Sequence, residues 1–177
     1  MTNQERLIKV RQLIAFYKDD NRNFVPVDER GGEHAVAVIV YRLDLPELPL
    51  NREQERGVAK LYQEGLNRIH LTLFQLAMVQ LGEASAGREN PETFTVVDDR
   101  GEALRGVLSG VIETHPLGAV FDVSVYDDTG SEVMPRRQPP CIICGGDRAE
   151  CKKQRRHGPE EILSRLDALL LAKGYYD

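Results

Sequence analysis

Three cysteines and a histidine fall in one short stretch, as Cys141-x2-Cys144-x6-Cys151-x5-His157. Thiolates spaced like the first pair converge on one point from a tight knuckle, and Cys151 with His157 offers the other two corners of a tetrahedral Zn2+. Gly145 and Gly146 let the chain turn directly after that pair. Arg148, Lys152, Lys153, Arg155 and Arg156 soften the charge of three thiolates. Four protein ligands leave no open position, so such a zinc would be structural. The competing reading is three free cysteines and a chance histidine in a basic loop. An odd, clustered set is in either case not a disulfide framework.

A second group lies on AVFDVSVY, residues 119–126. Alternate residues of a strand share a face, so Asp122 and Ser124 point one way and Phe121, Val123 and Val125 the other. A carboxylate on a strand built for burial is costly unless it is paired or binds a cation. Asp122 is thus a candidate Mg2+ ligand or general base; the alternative is an edge aspartate facing solvent or paired with an arginine. His115, in the preceding His-Pro-Leu-Gly, either satisfies carbonyls at a helix end or shares a cleft with Asp122. Arg136, Arg137 and the Lys152 to Arg156 run form either a solvated basic face or an anion-binding surface. In an acidic chain, that concentration raises the prospect of a phosphate-bearing ligand.

The elements that must position these residues are legible in part. Apolar spacing predicts a helix over 2–19, opened by a Thr2/Glu5 capping box, and a loop over 20–34. AVAVIVYRL (35–43) reads as a strand buried on both faces. Asn51 can cap a helix over 52–66. The stretch 69–81 carries both periods, and its first part is taken as strand; GEASAGRENP is taken as a turn-rich connector. A strand over 93–99, a helix around Leu104 to Ile112, a strand from Ala119 into a turn at 128–130, and a returning SEVMPRR follow. Gly158-Pro159 opens the last helix and Lys173-Gly174 closes it. The expectation is one α+β domain over 1–177, with a mixed or mainly antiparallel sheet and the cysteine/histidine knuckle (138–157) within it.

Composition narrows the classes. Of 177 residues 41% are hydrophobic and 29% charged, an ordinary folded mixture. The net charge of −5 and an aromatic content of 6% argue against nucleic acid as a partner. No apolar run approaches the roughly 20 residues of a membrane span, and MTNQERLIKVRQ lacks the apolar stretch of a secretory signal. A cytoplasmic location without membrane contact is expected.

HPLGAVFDVSV, an arginine after the hairpin, and CIICGGDRAECKKQRRH occur in that order. Together they resemble the citrate lyase holo-acyl-carrier-protein synthase family, the phosphoribosyl-dephospho-CoA transferases. His115, Pro116, Leu117, Gly118, Asp122, Val125, Cys141, Cys144, Cys151 and His157 occupy matching positions. The resemblance implies a nucleotidyl-type transfer. A triphosphoribosyl-dephospho-CoA unit would pass to a serine of the acyl-carrier subunit of citrate lyase, with release of pyrophosphate. It further implies Asp122, His115, Ser124 and Arg136 as catalytic, with Mg2+ on Asp122, and Arg137, Lys153, Arg155 and Arg156 as substrate-binding. Two motif positions depart: the family arginine is Ala119 and its second aspartate is Ser124. The other readings are a divergent homologue that has lost catalysis and a zinc-stabilised binding module.

Overall fold

The computed structural model describes residues 1–24, 35–45, 49–87, 91–99, 101–134 and 140–176. Helix α1 (Asn3–Phe24) precedes strand β1 (Val36–Leu43). Helix α2 (Arg52–Gln75), strands β2 (Gln80–Ala86) and β3 (Glu92–Asp98), and helix α3 (Glu102–Thr114) follow. A short 3-10 turn (Gly118–Val120) leads into β4 (Phe121–Tyr126) and β5 (Glu132–Met134), and then come α4 (Arg148–Lys153) and α5 (Pro159–Ala172). The strands form one sheet in the order β2-β3-β1-β4-β5, with every neighbouring pair antiparallel. The expected α+β class holds, and the sheet is the antiparallel variant of it.

β1 lies at the centre and is buried on both faces, as its continuous apolar run requires. Ala37, Ile39, Tyr41 and Leu43 join Phe121, Val123 and Val125 of β4 under α2, α3 and α5. Val36, Val38 and Val40 join Phe94 and Val96 of β3 under Val10 and Ile14 of α1. The sheet is therefore sandwiched, with α1 the one helix on the second face among the described residues. Each fully buried Val, Leu, Ile or Phe stabilises this arrangement by about 1.5–3 kcal/mol.

Three local expectations are overturned. The first part of 69–81 is not strand, because α2 continues to Gln75. Asn51 and Gln54 form a reciprocal capping box that starts the helix, and Leu66, Ile69 and Leu73 carry its buried face onward at helical spacing. The alternation of Leu71 and Leu73 is broken by the helix, which buries Leu73 and leaves Leu71 exposed. The supposed connector is strand β2, an edge strand whose thin apolar content hid it; Leu81, Ala84 and Ala86 are its packing residues. The region expected as a strand from Ala119 begins with the 3-10 turn instead. There Gly118 is required by close approach, since a Cβ would lie 1.8 Å from the Ile112 carbonyl oxygen.

Candidate functional site

The knuckle closes as its spacing demands. One ligand atom from each of Cys141, Cys144, Cys151 and His157 lies within 4.8 Å of all the others. The Cys144 and Cys151 Sγ atoms are 3.6 Å apart, close to the roughly 3.8 Å edge of a tetrahedron with 2.3 Å metal–sulfur bonds. The first turn is built by backbone: the Gly145 N–H donates to the Cys141 carbonyl and the Cys141 N–H to the Gly146 carbonyl, both at 2.8 Å. Gly145 has φ +69°, a left-handed conformation that glycine adopts without cost. Arg155 is also left-handed at φ 49°, and the Arg156 N–H returns to the Cys151 carbonyl at 2.9 Å. That reversal brings His157 back over the cysteines.

The histidine is oriented like a ligand. Its Nδ1 faces Glu161 Oε2 at 3.5 Å, and its buried Nε2 has no hydrogen-bond partner among the described residues. A carboxylate on one ring nitrogen, with the other turned toward sulfur atoms, is the arrangement that fixes a metal-binding imidazole. Burial raises the Cys141 thiol, but the Cys144 and Ile143 N–H groups and the neighbouring thiols outweigh it and hold that thiol below its usual value. Burial, together with the other two sulfurs, pushes Cys151 up to about 11. Three thiols so placed cannot all ionise without a cation among them. The group fits a metal ion.

Asp122 and Ser124 share a face of β4, as alternation requires, and both are buried. Asp122 pairs across the sheet with Arg42, whose Nε donates to Oδ2 at 2.5 Å. Arg42 also reaches Glu92 Oε1 of β3 at 3.6 Å, and Arg6 of α1 grips both Glu92 oxygens at 2.8 and 2.6 Å. A buried chain of alternating charge, Arg6–Glu92–Arg42–Asp122, thus runs under α1. Burial still raises the Asp122 carboxyl above its ordinary range, with Arg42 working against that shift. Ser124 donates to Glu132 Oε1 of β5 at 2.7 Å. Beside them a cavity of about 290 Å³ is lined by Asn3, Arg6, Leu7, Ser124, Tyr126 and Glu132, among others.

The cleft expected between His115 and Asp122 does not form. His115 packs on Phe121, with ring centroids 4.5 Å apart, and Phe121 faces α2 while its neighbour Asp122 faces α1. Both His115 nitrogens are occupied. Nδ1 accepts the Leu117 N–H at 3.0 Å, so the neutral ring carries its proton on Nε2, which donates to Glu64 Oε1 at 3.1 Å. Tyr175 donates to the other Glu64 oxygen. Burial lowers the His115 pKa, opposed by its bond to Glu64.

Arg136 and Arg137 lie outside the described residues. Lys153, Arg155 and Arg156 are exposed, and Arg156 donates to Gln154 at 2.8 Å. Asp127 caps its own turn, accepting from the Thr129 and Ser131 N–H groups, and Asp128 pairs with Lys18 at 2.9 Å. Four partners escaped sequence reasoning: Arg6, Arg42, Glu92 and Glu132. Arg42 alone carried a local signal, as the one charge in a strand otherwise buried on both faces. The others depend on pairings between distant segments.

Comparison with known proteins follows the same lines. The family described as apo-citrate lyase phosphoribosyl-dephospho-CoA transferase matches residues 32–173. A Vibrio cholerae protein named as a probable transferase of that kind is 28% identical over 89 residues, 46% of this chain and 49% of the relative. The transferase of that name from Citrobacter koseri is 28% identical over 92 residues, 49% of this chain and 50% of the relative. The one from Escherichia coli is 24% identical over 143 residues, 77% of this chain and 76% of the relative. The chain thus spans about half the length of the first of these relatives.

Proposed function

The chain belongs to the apo-citrate lyase phosphoribosyl-dephospho-CoA transferase family, and from that membership we propose that it performs the family's transfer. The donor is a triphosphoribosyl-dephospho-CoA; the acceptor is a serine of the acyl-carrier subunit of citrate lyase. The serine oxygen forms the new bond to phosphorus, the bond to pyrophosphate breaks, and the serine proton passes to a base. The reading rests on one face of β4, where Asp122 is buried and its neighbour Ser124 lines a cavity with Arg6 and Glu132.

Asp122, Ser124 and Glu132 present hard oxygen donors on one face of the β4–β5 hairpin, the donor type that Mg2+ selects. Mg2+ bound there would neutralise charge on the triphosphate. Arg42 favours the ionised form of Asp122 against the burial that raises its pKa. Arg136, Arg137, Lys153, Arg155 and Arg156 supply positive charge for the phosphates and the leaving pyrophosphate. His115, with both nitrogens engaged, holds the turn that starts β4 rather than moving a proton. Zn2+ in the Cys141, Cys144, Cys151 and His157 group is structural, and the protein works in the cytoplasm.

The test is direct. Purified protein, Mg2+, the triphosphoribosyl donor and the acyl-carrier subunit should yield pyrophosphate and a mass increase on one acceptor serine. A second reading, a relative that binds the donor without transferring it, is favoured by Ala119 and Ser124, which remove one positive and one negative charge from the family motif. Donor binding by calorimetry with no mass shift on the acceptor would establish that reading instead.

A further inference from the structure

Arg148 sits one helical turn before Cys151 on α4, is 7% exposed, and leaves the knuckle altogether with its side chain. Its Nη1 donates to the Ala119 carbonyl at 3.0 Å. Its Nη2 donates to the Asp44 carbonyl at 2.5 Å and lies 3.2 Å from Asp44 Oδ2. The Asp44 N–H in turn donates to the Val120 carbonyl at 2.9 Å. One guanidinium therefore joins the residue that follows β1 to the turn that precedes β4, two residues short of Phe121 and three short of Asp122. The exposed Lys152 adds a second contact to Asp44 Oδ2 at 3.2 Å.

We infer that Arg148 is a positioning residue that couples metal loading of the knuckle to the placement of the β4 start, and hence of Asp122. A helix of six residues has no stability of its own in water. Its orientation must come from outside anchors, and its two buried side chains supply the main ones: Cys151, which a metal ion would tie to its three co-ligands, and the Arg148 fork, with the exposed Lys152 beside it. Each anchor is only as good as the other. If the metal leaves, α4 loosens and the fork loses the geometry that satisfies two backbone carbonyls. If the fork is lost, those carbonyls and the Asp44 carboxylate lose a charged donor, and the turn before β4 is freed. Lysine cannot replace this fork, because one ammonium cannot span three fixed acceptors as a planar guanidinium does.

Amide hydrogen exchange at Asp44 and Val120 reads this directly, without reference to transfer. The protein is compared loaded with zinc, stripped by chelator, and as Arg148→Met in both states. Stripping and Arg148→Met should each speed exchange at these amides by about tenfold or more, and the two together by clearly less than the product. The cobalt(II)-substituted Arg148→Met protein should keep the thiolate absorption of the parent at saturating metal, showing that the ligand set is intact. Arg148→Lys, which keeps charge and most volume, should fall between parent and Arg148→Met and serves if the latter fails to fold. Unchanged exchange on stripping, or effects that multiply independently, would overturn the inference. Its consequence for catalysis rests on the proposed transfer: kcat should fall in Arg148→Met while KM for the donor holds. Absence of transfer in the parent would refute that function and leave the exchange result to decide the coupling.

Discussion

Arg42 Nε donates to Asp122 Oδ2 at 2.5 Å from the directly opposing position on β1. The carboxyl is buried, which raises its pKa, and Arg42 works against that shift. Arg42→Met should therefore destabilise the fold by about 3–5 kcal/mol, the range for stranding one member of a buried pair. Changing both residues, as Arg42→Met with Asp122→Asn, should recover much of that loss. Denaturant titration of the three variants closes the cycle, and simple additivity would show that the pair is not coupled.

Ser124 stands where the family carries an aspartate, and it donates to Glu132 at 2.7 Å. Restoring the motif with Ser124→Asp alone places two carboxylates in contact, which should cost about 1–3 kcal/mol and raise one of their pKa values. Adding Glu132→Gln should relieve the cost and leave a carboxylate on β4. If transfer occurs, the double variant should retain it and Ser124→Asp alone should be slower. Equal stability of the two would mean that Glu132 does not hold the position.

The acid limb of stability should report His115. Burial lowers its pKa from the ordinary 6.5, so the unfolded chain binds the proton first as pH falls. This contribution is fully present above about 6.5 and is lost as pH drops below it toward the folded value. Glu64, held low by Tyr175 and His115 against its burial, loses its contribution in the same direction at lower pH. His115→Gln should flatten the stability profile as pH falls below about 6.5. It should also cost about 1–3 kcal/mol at neutral pH through the exposed Glu64 and Leu117 contacts. An unchanged profile would remove His115 from this role.

Metal analysis should find one zinc ion per chain. Cys144→Ser should abolish tight binding and lower thermal stability, while far-UV circular dichroism retains the helices and sheet, since the knuckle meets the apolar core through the partly buried Ile142. Glu161→Gln should weaken zinc affinity by about tenfold through loss of the carboxylate behind His157. Zinc competition titrations with a chromophoric chelator measure both, and undiminished affinity in Cys144→Ser would refute the ligand set.

The knuckle was legible from spacing because its ligands lie close together in the chain, where local turns decide the geometry. β1 was legible because a strand buried on both faces has a continuous apolar signature, and α1 and α5 because their caps and stripes agree. The end of α2 and the strand β2 were not. A short apolar run satisfies both periods, and an edge strand needs few apolar residues, so only packing decides them: of α2 against β1 and α3, and of β2 against β3 and α1. Alternation put Asp122 and Ser124 on one face, yet could not say which layer covers that face. Register across β3, β1 and β4 supplied Glu92 and Arg42, the helix on that layer supplied Arg6, and the same pleat carried His115 to the opposite side with Phe121. Arg148 had looked like one of several charges balancing thiolates; the chain's return past Asp44 and Ala119 made it a clamp. Residue type and short spacing determine what a side chain can do, whereas its partner is set by contacts between segments far apart in sequence, which only the folded chain brings together.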